Sequence, residues 1–312
     1  MIVNLPTPQS LSETALRLYF SAWSSLITIR TDFDAVFEHG IDWSQEWSEY
    51  LEGYQPELQA VCSVIQQSNE LALKARICAV SPYLLLLGSE PRFSAKVRDI
   101  DFSEFGTLDA VDLPAAVNSL CPHPLSDSYV GDYNELRVLR NKFTHLGQAG
   151  QTFKPEDLLG LLIRQYTELW SDRSWLADRA NFASRTGAAF LHDGKYNSAA
   201  SEVIDQLPLT FAQIGKSAFN KLFGIAKTKR RYLCHKCIRE ASTRFYEVDP
   251  DLSKTAYLKD PGTLHCLMCD EDHGVVRRSC VSDGCKGDVI SLDGYRQAEV
   301  CNTCGQPQLE DE

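Results

Sequence analysis

The chain has 312 residues, enough for two or three domains with a core each. Its 44% apolar and 23% charged residues match an ordinary soluble protein, and no stretch approaches the roughly 18 apolar residues of a membrane span. A net charge of -11 excludes indiscriminate nucleic-acid binding by the whole surface.

Met1 to Ser10 carries no basic leader region, and Glu13 and Arg17 interrupt the apolar run that follows. A cytoplasmic protein with reduced thiols is therefore expected. Ser10 and Glu13 stand in capping-box relation before a first helix to about Ile29, with Leu16, Tyr19, Phe20, Trp23, Leu26 and Ile27 on its apolar stripe. Trp43, Trp47, Tyr50, Leu51 and Tyr54 mark a second stripe, read as core. Pro56 suits the first turn of a long third helix, with Leu58, Val61, Cys62 and Ile65 inward and Glu70 paired to Lys74 at i,i+4. Ser81-Pro82 ends or kinks it. Residues 88–130 read as irregular, with at most a short helix around Ala110 to Leu120.

Asp132 and Glu135 have the spacing of another capping box and are expected to open a central helix. Leu136, Leu139 and Phe143 form its apolar face, and Asn134, Arg137, Asn141 and His145 its polar one. Gly147 is its expected stop. Pro155-Glu156-Asp157 begins a further helix, with Leu158, Leu162, Tyr166, Leu169 and Trp170 inward. The pattern is mainly α: a helical bundle over 1–180 with no convincing strand. A helical connector with a basic end covers 181–230, with helices across Ser198 to Gln206 and Gln213 to Lys227. From Lys216 to Arg239 there are eight basic residues and no acid. Lys227, Lys229, Arg230 and Arg231 are its candidate RNA contacts. The competing reading is a solvated basic linker.

Residues 231–312 form a separate cysteine module. Cys234/Cys237, Cys266/Cys269, Cys280/Cys285 and Cys301/Cys304 come in pairs, three of them Cys-x2-Cys. Two such turns complete a tetrahedral thiolate site, so eight cysteines imply two structural zinc ions with every position filled. The ions are shared either sequentially (the first four cysteines, then the last four) or in an interleaved cross-brace. His235, His265 and His273 are alternative ligands. With β-prone runs at Thr243 to Val248 and Asp288 to Leu292, the module resembles two consecutive zinc ribbons.

Arg140-Asn141-Lys142-Phe143-Thr144-His145, late on the central helix, carries the remaining chemistry. Arg-x4-His alone is uninformative, with roughly 0.4 chance occurrences expected and a second match at Arg230 to His235. Requiring Asn after Arg lowers the expectation to roughly 0.01 and leaves only the first. An Arg fork can hold a scissile phosphate, and a His can move protons near neutral pH. Because RNA carries its own 2′-hydroxyl nucleophile, such cleavage needs no catalytic metal.

Arg140-Asn141-x3-His145 on such a helix resembles the signature of the HEPN superfamily (higher eukaryotes and prokaryotes nucleotide-binding). The resemblance covers about residues 10–175. It implies a metal-independent endoribonuclease with Arg140, Asn141 and His145 catalytic and Asn134 and Arg137 as helpers. The site would form between two copies, in a toxin or antiphage effector with a possible antitoxin or trigger molecule. On an ideal helix Arg140 and His145 project about 140° apart, which calls for a wrapped Arg, a distorted last turn or a composite homodimer site. Two other readings remain: a non-catalytic nucleic-acid-binding or adaptor protein dimerising through the bundle, and a structural Arg140 ion pair with His145 capping the helix.

Overall fold

A computed structural model describes residues 1–37, 41–87, 99–146, 152–187, 198–243, 247–249, 253–293 and 298–308, with 144–146 and 293 described by backbone alone. Mainly helical, the chain divides into two compact units, Met1–Trp170 and Ser171–Glu312. Among the described residues no helix is long and apolar enough to cross a membrane.

The first unit is built on two long helices, α1 (Pro8–Val36) and α3 (Gln55–Val80), packed along each other and joined by α2 (Ser44–Gly53). Their facing stripes bury Tyr19, Phe20, Trp23, Leu26 and Ile27 against Leu58, Ile65 and Leu73. The aromatic stripe of α1 is core as expected, with Tyr19 against Tyr166 and Trp170 at ring distances of 5.5 and 5.6 Å. Two more helices, α5 (Asp127–Leu146) and α6 (Pro155–Leu169), pack on this pair, and the short α4 (Leu113–Leu120) lies against α3.

Several local expectations change. Ser10 lies inside α1, because Thr7 takes the cap: its hydroxyl accepts from the Ser10 backbone N–H, and Pro8 occupies the first turn, where no donor is needed. Likewise α5 opens at Asp127, with Ser126 accepting from the Tyr129 backbone N–H, while Asp132 turns to Arg164 at 2.7 Å. Glu70 pairs with Arg140 of α5, and Lys74 donates to Thr107 instead. The bundle also contains a strand pairing: β1 (Ile2–Val3) runs parallel to β2 (Ile100–Asp101). Periodicity over two residues carries no signal for such a pair. The Gly147 stop lies outside the described residues.

The second unit begins with α7 (Trp175–Ala183), which the sequence pattern did not reveal, followed by α8 (Ala199–Asp205), α9 (Leu207–Gln213) and α10 (Lys216–Phe223). One expected helix over Gln213 to Lys227 ends instead at Gly224, whose φ of 66° is left-handed. The connector belongs with the cysteine module. Ser174 donates to the Leu267 carbonyl and Ser198 to that of Ala241. Arg179, almost fully buried, reaches from α7 to Glu202 and Gln206.

After α11 (His235–Ala241) come five antiparallel strands in sequence order: β3 (Ala256–Asp260), β4 (Thr263–Cys266), β5 (Asp272–Arg277), β6 (Val289–Asp293) and β7 (Ala298–Cys301). The run at Asp288 to Leu292 is β6 within one residue. Of the run at Thr243 to Val248, residues 244–246 lie outside the described residues, and Thr243, Glu247 and Val248 are not in a strand. The two halves of the sheet share a strand: β5 pairs with β4 around Asp272 to Gly274 and with β6 over Val275 to Arg277.

Candidate functional site

The helix α5 carries the Arg-Asn-x3-His residues and is continuous to Leu146. With no break after Arg140, ideal helical geometry sets the backbone positions of residues 140 and 145 about 140° apart round the helix axis, and those of 141 and 145 about 40°. The His145 side chain lies outside the described residues. Arg140 faces α3 and is half-buried, its Nη2 donating to Glu70 Oε1 at 3.0 Å. The same oxygen accepts from Gln66 Nε2 at 3.2 Å. Beside them Tyr133 is fully buried, its hydroxyl donating to the Ala110 carbonyl at 2.7 Å. Burial first, then the Glu70 charge, raises its pKa.

Asn134, Arg137 and Asn141 are half-buried along α5, and Val138 is 43% exposed. The Nε atoms of Arg137 and Arg140 are buried and have no hydrogen-bond partner among the described residues. Two orphaned donors beside the motif are uncommon in a protein interior. Sequence reasoning missed Glu70 and Gln66. The i,i+4 spacing of Glu70 to Lys74 supplied a local partner that masked the long-range one.

In the second unit the eight paired cysteines form two groups in sequential order, Cys234, Cys237, Cys266 and Cys269, then Cys280, Cys285, Cys301 and Cys304. All four thiols of each group lie within 4.8 Å of one another, and no cross-brace forms. A tetrahedral ion with Zn–S bonds of about 2.3 Å needs sulfurs about 3.8 Å apart. Cys234–Cys269 and Cys237–Cys266 are 3.9 and 3.6 Å apart, and Cys280–Cys304 and Cys285–Cys301 are 3.8 and 3.9 Å apart.

The turns themselves are shaped for an ion. Backbone N–H groups two residues on point at four of the sulfurs: Met268 at Cys266, Ser282 at Cys280, Gly287 at Cys285 and Thr303 at Cys301. Asp270 and Gly305, each just after a Cys-x2-Cys, have left-handed φ of 57° and 78°. A Cβ on Gly287 would sit 2.7 Å from Cys301 Sγ, so only glycine fits there. Of the alternative ligands, His235 turns to Ser291 and His265 to Asp272, whereas His273 Nε2 lies 3.4 Å from Cys234 Sγ and 3.6 Å from Cys269 Sγ. His273 therefore adds a fifth donor beside the first group.

The basic stretch divides. Lys227 Nζ donates to the Ile214 carbonyl at 2.7 Å, Lys229 sits 4.8 Å over Tyr257, and Arg231 lies 4.6 Å over Phe211. These three line one cavity of about 490 Å³. Arg230 stacks 5.1 Å over Tyr232 and is not among the lining residues. Lys236 is engaged with Glu271. The block is thus not one continuous stripe.

No protein-family model, curated protein or solved structure matches the chain. The chemistry that can be assigned to it rests on its own residues: a helical unit bearing an Arg-Asn-x3-His helix, and a mixed unit with two four-thiol groups able to hold metal ions.

Proposed function

We propose that the protein is a metal-independent endoribonuclease of HEPN type, acting as a homodimer, whose cysteine groups hold two structural zinc ions. The observation that carries this reading is the partly exposed guanidinium of Arg140, engaged only through Nη2, next to Asn141 on α5. Among the described residues Glu70 engages only Nη2 of Arg140, which leaves a terminal guanidinium donor for a phosphate oxygen.

In this mechanism Arg140 holds the scissile phosphate and offsets charge in the transition state. His145 takes the proton of the ribose 2′-hydroxyl or gives one to the leaving 5′-oxygen. The new bond joins the 2′-oxygen to phosphorus and the bond to the 5′-oxygen breaks. A 2′,3′-cyclic phosphate and a 5′-hydroxyl result. Because α5 is unbroken, Arg140 of one subunit and His145 of the partner subunit would converge across a dimer contact. A role in growth arrest or antiphage defence, under an antitoxin or trigger, follows from the HEPN resemblance alone. The zinc ions stiffen the second unit and take no part in cleavage.

The Arg140–Glu70 pair also favours a second reading, a non-catalytic adaptor in which Arg140 ties α5 to α3. Incubating the purified protein with RNA in EDTA, beside Arg140→Ala and His145→Ala variants of unchanged fold, separates the two. Cleavage lost in both variants supports the nuclease, equal cleavage by all three sinks it, and an inert wild type favours the adaptor.

A further inference from the structure

Three cationic residues, Lys227, Lys229 and Arg231, line the 490 Å³ cavity beside α9; Lys254, with an interaction of its own, also lines it, and no carboxylate is among its described lining residues. Like charges gathered round one concavity repel one another, so the arrangement favours an anion. The Arg231 guanidinium is laid over two rings, 4.6 Å from the Phe211 centroid and 5.8 Å from that of Phe219. A guanidinium held against aromatic rings keeps its N–H donors available for an anion. Among the described residues it has neither an acid partner nor a hydrogen bond, and burial disfavours its charge. Lys227 is anchored to the Ile214 carbonyl through one of its three donors. Thr228 is a further lining residue.

We propose that this cavity binds a terminal polyphosphate, the di- or triphosphate end of a free nucleotide or of an RNA. A phosphodiester strand spreads one charge per nucleotide and is tracked by a stripe of cations. Here the cationic residues line a single cavity, in a volume typical of small-ligand sites, and Arg230 is left outside. The site is independent of the α5 residues and of the ribonuclease reading.

Calorimetric titration of the full chain with inorganic triphosphate and with ATP tests the proposal. It is paired with two RNAs identical except for a 5′-triphosphate or a 5′-hydroxyl. Both small ligands should bind, more weakly as salt rises, and Lys229→Glu, at an exposed position, should weaken them about tenfold or more. Arg231→Gln should do the same, and Lys229→Glu keeps the test valid if loss of the ring stack unfolds that variant. Tighter binding of the triphosphate RNA identifies an RNA end as the source, and equal binding of both RNAs alongside ATP binding identifies a free nucleotide. No binding of inorganic triphosphate or ATP, or binding that Lys229→Glu leaves unchanged, overturns the proposal.

Discussion

The guanidinium of Arg140 on α5 lies 3.0 Å from the carboxylate of Glu70 on α3, with both side chains about three-quarters buried (27% and 21% exposed). The pair ties the candidate catalytic helix to α3, which packs along α1. Glu70→Gln keeps the shape but removes the charge, and should cost about 1–2 kcal/mol in urea denaturation. If Arg140 holds the scissile phosphate as proposed, cleavage by Glu70→Gln should fall less than by Arg140→Ala, since the Arg140 donors remain. A variant as inactive as Arg140→Ala would make Glu70 part of the reaction.

Val138 stands 43% exposed on the motif helix, where a composite site would place a second copy. Light scattering should find wild type dimeric and Val138→Asp monomeric, with circular dichroism unchanged and cleavage lost. A monomeric wild type that still cleaves RNA removes the basis of the composite site.

Gly287 approaches the second cysteine group too closely for a side chain. Metal analysis should give about two zinc per wild-type chain and about one for Gly287→Ala, with the Cys234 group still loaded. Well under two in wild type refutes the zinc reading.

Burial pushes the Cys62 thiol up from its ordinary 9.0 to about 12. A raised thiol pKa means the folded state holds the proton more tightly than the unfolded one. The resulting stability is complete below the unfolded pKa and drains away as pH rises from about 9 towards 12. Urea denaturation between pH 8 and 10.5 should therefore show a steeper alkaline loss for wild type than for Cys62→Ala. Equal slopes would mean that the thiol is hydrated.

Much of this protein was legible from local pattern. Helical periodicity located α1, α3 and α6, because an amphipathic stripe must bury itself whatever it packs against. Pairs of cysteines with two or four residues between them announced turns able to hold a metal ion, since each pair closes within its own turn. Local spacing misled where a distant group made the better bond. Thr7 displaced Ser10 as a cap, and Glu70 left Lys74 for Arg140, 70 residues away. The short α7 and the two-residue strands carried too little periodicity to register.

By itself, then, the sequence determined the mainly helical class, the cysteine pairs and the Arg-Asn-x3-His residues, all of which depend on neighbours within a few positions. Only the tertiary structure decided that the thiols group in sequential fours, that β5 pairs with both β4 and β6 and that Arg140 is bound to Glu70. It also gathered Lys254 with Lys227, Lys229 and Arg231 at one cavity. Each of these is a contact between remote segments, selected by packing and charge once the chain has closed on itself.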